Sequence, residues 1–344
     1  MPPTQKEVAD RLGVSQVTVS RALRGEEGVG EQQRERVMQA AREMGYQIQA
    51  SNYHAQALRS QGMGERLATN VICVVGQQGH GHVGGAFNTR IFRGISDAAS
   101  DRDMETILAG HYQPDWPLVV QRGQVDGVIC LLGDIDIEKQ PGSPGVPCVS
   151  LFYDLPGADL VTADNAGGMR EVARHLCELG HRRIAYMSPD TTVSRERLRG
   201  LREVAQERGA EVPEDLVFVR RFAVNAGIIR ELIDENIPEK GPDNDELPFT
   251  ALAAYDDFMA VVAIQRLREK GWEVPDDLSV TGFDGVDFEG VGGPKLTTSA
   301  IPLEEIGEEG VRLLESRISR PDAPRRSLQL QTEFMRGQTT SAVE

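Results

Sequence analysis

Between Glu7 and Leu23 the chain reads EVADRLGVSQVTVSRAL, with apolar residues at helical rather than strand spacing. Val8 and Leu12 fall on one face, and Val14, Val19 and Leu23 on another. Gln16, Val17, Thr18, Ser20 and Arg21 are left pointing outward. Those side chains suit the edges of base pairs: Gln pairs with adenine, Arg with guanine, and Val meets a thymine methyl. Thr4, Ser15, Thr18 and Ser20 carry hydroxyls of the kind that hold phosphate oxygens, and Arg24 is grouped with them. A helix of about eight residues fits the major groove, so the segment is read as a DNA-contacting helix-turn-helix. The alternative is a small helical bundle without DNA, which leaves the one-sided polarity unexplained.

No other spacing points to a reaction. His80-Gly-His82 has no carboxylate or thiol partner nearby, so a solvent-facing loop is expected rather than a metal site. The glycine-rich stretch Gly76–Gly85 lacks the GxxxxGK[ST] pattern of a nucleotide-phosphate loop, and GxSxG does not occur. Cys73, Cys130, Cys148 and Cys177 are widely spaced in apolar segments and read as buried free thiols in a reducing compartment. No enzyme activity, metal or cofactor is expected.

Positioning the DNA-facing residues takes two short helices and a tight turn. Thr4 and Glu7 form a capping box, Gly13 can end the first helix in a left-handed conformation, and Ser15 caps a second, Gln16–Leu23. A third helix over about 31–44 carries Val37, Ala41 and Met44 inward. Residues 47–69 are rich in Gln, Ser, Asn and Gly and read as a linker with a short helix possible at 53–60. Apolar runs then alternate with amphipathic helices: Val71–Val75, Val125–Leu132, Val146–Leu151, Arg183–Met187, Leu252–Tyr255 and Leu278–Phe283, with helices such as Gly167–Leu179, Leu198–Arg208 and Asp257–Lys270 between them. This alternation predicts parallel sheets covered by helices, which bind ligands at the carboxyl ends of their strands.

The 344 residues suggest two or three domains. The net charge of −16 is unevenly spread. Residues 1–62 carry eight Lys/Arg and seven Asp/Glu, whereas the remainder carries 29 and 46, a balance of −17. The acidity therefore belongs to the large region, where it repels DNA and favours solubility. MPPTQKEVAD has no apolar leader and no membrane-length apolar run follows, so a cytoplasmic, nucleoid-associated protein without a membrane partner is expected.

Over nearly its whole length the chain resembles the LacI/GalR family of transcription regulators. The blocks that carry the resemblance are VADRLGVSQVTVSRAL, AREMGY, VDGVI (125–129), ADNAGG (163–168), HLCELGHRRIAYM (175–187), RERLRGLREVAQERG (195–209), YDDFMAVVAI (255–264), VPDDLSVTGFD (274–284), LTTSAIP (296–302) and TEFMRGQTT (332–340). The resemblance implies an all-α headpiece (1–46) and a hinge (47–69). It also implies a two-lobed α/β core of the periplasmic-binding-protein type, with three crossings between its lobes. The N-lobe is then 70–163 with about 294–320, and the C-lobe 164–293 with about 321–340. Leu58, in HAQALRSQ, stands where the family inserts a leucine into the minor groove, although about three extra residues separate it from Tyr46.

For the effector, the resemblance points to Arg197, Asp256 and Asp284 around ligand hydroxyls, with Phe87 as an aromatic cover. Asp256 and Asp284 could instead cap the helices that follow them, and Arg197 could be a surface ion pair. Gly85-Ala86 replaces the usual Asn-Pro, Phe152-Tyr153 the usual Asp-Arg, and Asp256 the usual Asn. The Gly76–Gly85 loop is about five residues longer. These departures favour a more aromatic and acidic pocket that includes Phe152. Because the polar groups sit at strand ends, truncating them is expected to spare the fold. The expected protein is a homodimeric repressor that binds palindromic operator DNA and senses a small molecule, most simply a carbohydrate. Other readings are a purine or phosphorylated-metabolite effector, a transport-type sugar binder, or an enzyme on the same core.

Overall fold

Thr4 opens the first helix by the expected exchange. Its hydroxyl oxygen accepts from the Glu7 amide at 3.4 Å, and the Glu7 carboxylate accepts from the Thr4 amide at 2.5 Å. Helix α1 (Gln5–Leu12) ends at left-handed Gly13, and Ser15 opens α2 (Gln16–Arg24) by accepting from the Thr18 amide at 3.0 Å. Val8, Ala9, Val19, Ala22 and Val37 form a small buried core, with Leu12, Val14, Val29 and Met44 against it. Gln33, Arg36, Val37 and Ala40 are helical, in line with a third helix. The computed structural model describes residues 4–24, 29–30, 33, 36–37, 40, 44, 69–76, 85–110, 116–131, 146–220, 225–242, 245–286 and 294–343. The candidate hinge residue Leu58, together with His80, His82, Ala41 and the side chains of Leu23 and Arg24, lies outside them.

The core contains two parallel sheets. In the N-lobe, β1 (Val71–Gly76), β2 (Glu105–Gly110), β3 (Gly127–Leu131), β4 (Cys148–Leu151), β5 (Asp159–Ala163) and β11 (Ser327–Leu330) are ordered β11-β5-β4-β3-β1-β2. In the C-lobe, β6 (Ile184–Pro189), β7 (Val217–Arg220), β8 (Ala251–Ala254) and β9 (Ser279–Thr281) are ordered β7-β6-β8-β9. Alternation assigns the faces. Ile184, Tyr186, Ala251 and Ala253 pack with α5 (Asn165–Glu178) and α6 (Thr192–Glu207). Ala185, Met187, Leu252 and Ala254 pack with α7 (Ala226–Asn236) and α8 (Asp257–Glu269). In the N-lobe, α3 (Ala86–Ser100) and α9 (Leu303–Ser319) lie against each other over one face. Trp116 and the short α4 (Leu118–Gln121) cover the other, over Cys73, Cys130 and Cys148. All four cysteines are free and buried.

The chain crosses between lobes three times: after β5, between β9 and α9, and between β11 and β12 (Glu333–Met335). On the way, β10 (Thr298–Ala300) pairs antiparallel with β12. One sequence-derived boundary needs correction. The resemblance places residues from about 321 in the C-lobe, yet Ser327–Leu330 pairs with Leu160–Ala163 in the N-lobe sheet, so the last return falls at about Thr332. This strand reads SLQL, half-buried at alternate residues, and lacks the apolar run that marks an interior strand. The start of the preceding segment also shifts. Thr297 bridges Thr281 and bonds Thr339, which ties it to the C-lobe. Among the described residues, no helix is long and apolar enough to cross a membrane.

Candidate functional site

On α2, Gln16, Val17 and Arg21 are exposed, Val17 at 59%, while Val19 on the opposite face is fully buried. Thr18 and Ser20 are half-buried. Ser15 and Thr18 lie hydroxyl to hydroxyl at 2.8 Å, and the Thr4 hydroxyl donates to Glu7 at 2.9 Å. The first turn of α2 carries no acidic residue, so its amide dipoles keep their positive end toward an approaching phosphate. Lys6 and Arg36, which sequence reasoning did not select, are also exposed on this small unit.

The second site is assembled at the carboxyl ends of core strands. Gly200 lets α6 press onto α5, since a Cβ there would lie 2.2 Å from the Ala166 carbonyl oxygen. One turn earlier, Arg197 is thereby brought to Asn165 and is only 3% exposed. Its Nε donates to Asn165 Oδ1 at 3.0 Å, Nη1 to the Tyr255 carbonyl, and Nη2 to Asp284 Oδ1 at 3.0 Å. The guanidinium carbon lies 3.7 Å from the Phe283 ring centroid and 4.5 Å from that of Tyr255. Arg197 is therefore a buried keystone, not a surface ion pair. Its truncation should therefore cost the fold more than its place at a strand end implies, because it strips a donor from the buried Asn165 and from the half-buried Tyr255 carbonyl and Asp284.

Asp284 has a left-handed backbone, φ +106°, and its side chain is 15% exposed. Burial pushes its carboxyl up to about 7 despite Arg197, and the charge of Asp256 adds to the shift. Asp256 caps α8, with Oδ1 accepting from the Met259 amide at 2.7 Å, so the capping alternative describes one of its oxygens. Next to it, Asp257 is buried, and burial followed by the charge of Asp284 holds its carboxyl well above the ordinary range.

In the N-lobe, Phe87 and Phe152 meet with ring centroids 5.4 Å apart at 42°. Phe152 too is left-handed, φ +71°, just past the end of β4. Tyr153 lies within electrostatic reach of Tyr255. The structure thus joins Arg197, Asp256 and Asp284 in one group and Phe87 with Phe152 in another. Asn165, Tyr255 and Phe283 were missed as partners of Arg197. They sit inside the ADNAGG, YDDFMA and VTGFD blocks, but nothing in the sequence pairs them with it.

A helix-turn-helix unit ahead of a two-lobed binding core defines a class of DNA-binding regulators. Residues 4–49 match the description "Bacterial regulatory proteins, lacI family", and residues 173–340 match "Periplasmic binding protein-like domain". The chain is 31% identical to the HTH-type transcriptional regulator DegA of Bacillus subtilis, over 90% of this chain and 89% of DegA. It is 32% identical to the HTH-type transcriptional regulator CelR of Thermobifida fusca, over 97% of each. The solved CelR–cellobiose complex superposes with a TM-score of 0.64 at 29% identity, covering 98% of this chain and 99% of that one. The chain belongs to the LacI family of transcriptional regulators.

Proposed function

We propose that the protein is a homodimeric repressor whose operator affinity is set by a neutral carbohydrate held between the lobes, and that it catalyses no reaction. The observation that carries this reading is the pair of carboxylates Asp256 and Asp284 at the carboxyl ends of β8 and β9, the second held in place by the buried guanidinium of Arg197. Planar charged groups of this kind take vicinal hydroxyls in paired hydrogen bonds, and aromatic rings cover the apolar face of a sugar. A phosphorylated ligand would bring more negative charge to Asp256 and Asp284. The sugar class is also supported by the cellobiose bound in the similar CelR structure.

Gln16, Val17 and Arg21 are assigned to base edges. Thr4, Ser15, Thr18, Ser20 and Arg24 are assigned to phosphates, and Leu58 to the minor groove. Two headpieces related by a two-fold axis match a palindromic operator. A dimer contact is supported at the edge strand β2 and the neighbouring α4, where Ile107, Leu108 and Leu118 are 39%, 64% and 61% exposed. Acting on chromosomal DNA places the protein in the cytoplasm.

The test is a thermal-shift screen of mono- and disaccharides, sugar phosphates and nucleobases, followed by operator titration with each hit. A neutral sugar should raise the melting temperature by mass action and change operator affinity. A response confined to nucleobases or sugar phosphates would replace the carbohydrate reading with the corresponding alternative.

A further inference from the structure

The turn that carries Asp284 is held from both lobes. Asp284 and Gly285 are both left-handed, φ +106° and +70°, a conformation that costs an aspartate strain unless its surroundings hold it. On the C-lobe side, Asp257 accepts from the Val286 amide at 2.7 Å and from the Thr298 hydroxyl at 2.6 Å. On the N-lobe side, Arg90 of α3 donates from Nη1 to the Gly285 carbonyl at 3.2 Å. The same guanidinium grips the Glu304 carboxylate in the first turn of α9, through Nε at 2.8 Å and Nη2 at 2.7 Å. Helices α3 and α9 meet so closely there that a Cβ on Gly94 would lie 2.0 Å from the Glu304 carbonyl oxygen. Contacts therefore run unbroken from Arg197 through Asp284 and Gly285 to Arg90 and Glu304.

We propose that Arg90 couples the effector site to the N-lobe, as a positioning residue that acts through the Gly285 carbonyl. The chemistry requires arginine. Its Nε–Nη2 edge makes the two-point clamp on a carboxylate, which leaves Nη1 to reach a third acceptor. Lysine supplies one point charge and cannot fix both directions. The Gly285 bond is the longest of the three, so a small movement of the turn during lobe closure changes it before it changes the Glu304 clamp. Effector contacts at Asp284 then bias the α3–α9 pair, which belongs to the lobe that follows the headpiece in the chain. A physical coupling of this kind needs an element whose position both sites bias, and the Asp284–Gly285 turn is that element.

This inference rests on the reading that an effector at Arg197 and Asp284 alters operator affinity. It is tested with the full chain carrying Arg90→Met, Arg90→Lys, or the exchange Arg90→Glu with Glu304→Arg, using cellobiose as the probe. In the wild type, saturating cellobiose should change operator affinity by a factor within the roughly 5- to 150-fold span of such couplings. In Arg90→Met and Arg90→Lys that factor should collapse toward one, while effector-free operator affinity stays within about threefold. The exchange should restore thermal stability without restoring the factor. Lower stability with an unchanged factor would make Arg90 purely structural and overturn the proposal.

A second arm needs no effector. Hydrogen exchange of the Asp284, Val286 and Ile301 amides, all bonded around this turn, should be about tenfold faster in Arg90→Met than in wild type. Unchanged exchange there would also overturn the proposal. A wild type indifferent to cellobiose would instead count against the effector reading, leaving the exchange measurement to decide the role of Arg90.

Discussion

Asp284 is where one proton decides much of the candidate pocket's behaviour. Its carboxyl, raised by burial to about 7 from an ordinary 3.8, is mostly neutral only below about pH 7 in the ligand-free protein. Its contribution to stability is therefore fully present below about pH 4 and is lost as pH rises through about 7. A ligand hydroxyl that donates to the ionised carboxylate pulls this pKa down and releases a proton. Effector affinity should thus rise roughly tenfold between about pH 6 and 8 and level off above. Calorimetry in buffers of different ionisation enthalpy would detect the released proton, and Asp284→Asn should abolish both effects. A flat pH profile in the wild type would show that the carboxylate does not meet the ligand in ionised form. His181 does not mimic this signal, because burial lowers it to about 4.

At the scale of elements, the approach of α5 and α6 is what delivers Arg197 to its partners. Gly200→Ala should separate these helices, costing about 2 kcal/mol of stability net of the better helix propensity of alanine. Urea unfolding followed by Trp272 fluorescence would measure it. Loss of the Arg197–Asn165 bond predicts a parallel fall in effector affinity, and an Ala variant with wild-type stability would mean the helices can part freely. Elements of this kind were unequally legible in the sequence. Interior strands such as VICVVG and VICL announce themselves by continuous apolar runs, because both faces are covered. The edge strands β2 and β7 and the half-buried β5 and β11 carry no such run and were passed over. Arg197 and Asp284 were found through family blocks. Their left-handed and cation–π geometry, and the Arg90–Gly285 bond across 195 residues, depend on tertiary contacts that no local pattern encodes.

For the whole molecule, charge is partitioned as sharply as fold. The region of 1–62 is nearly neutral, whereas the rest carries −17, so DNA affinity must come from the headpiece against repulsion by the core. With on the order of 6–10 phosphates neutralised, operator affinity should fall about 10³-fold or more between about 50 and 200 mM salt. A version lacking residues 1–62 should show no shift of operator DNA. Retained binding by that truncated core would move the DNA interface off α2.

The place of β11 reaches beyond the folded state. The N-lobe sheet begins at Val71, but its outermost strand next to β5 is Ser327–Leu330, and the covering α9 ends only at Ser319. During synthesis, an N-lobe in progress therefore exposes the open edge of β5 while the entire C-lobe emerges from the ribosome. The C-lobe fares no better, since the amide of Val280 bonds the Thr339 carbonyl and that of Ser341 bonds the Ser279 hydroxyl. Helices α1 and α2, whose contacts are local in sequence, can form as soon as they are made. Both lobes wait on the same late segment, which leaves unpaired strand edges available to nascent neighbours until the last residues of the core have been made.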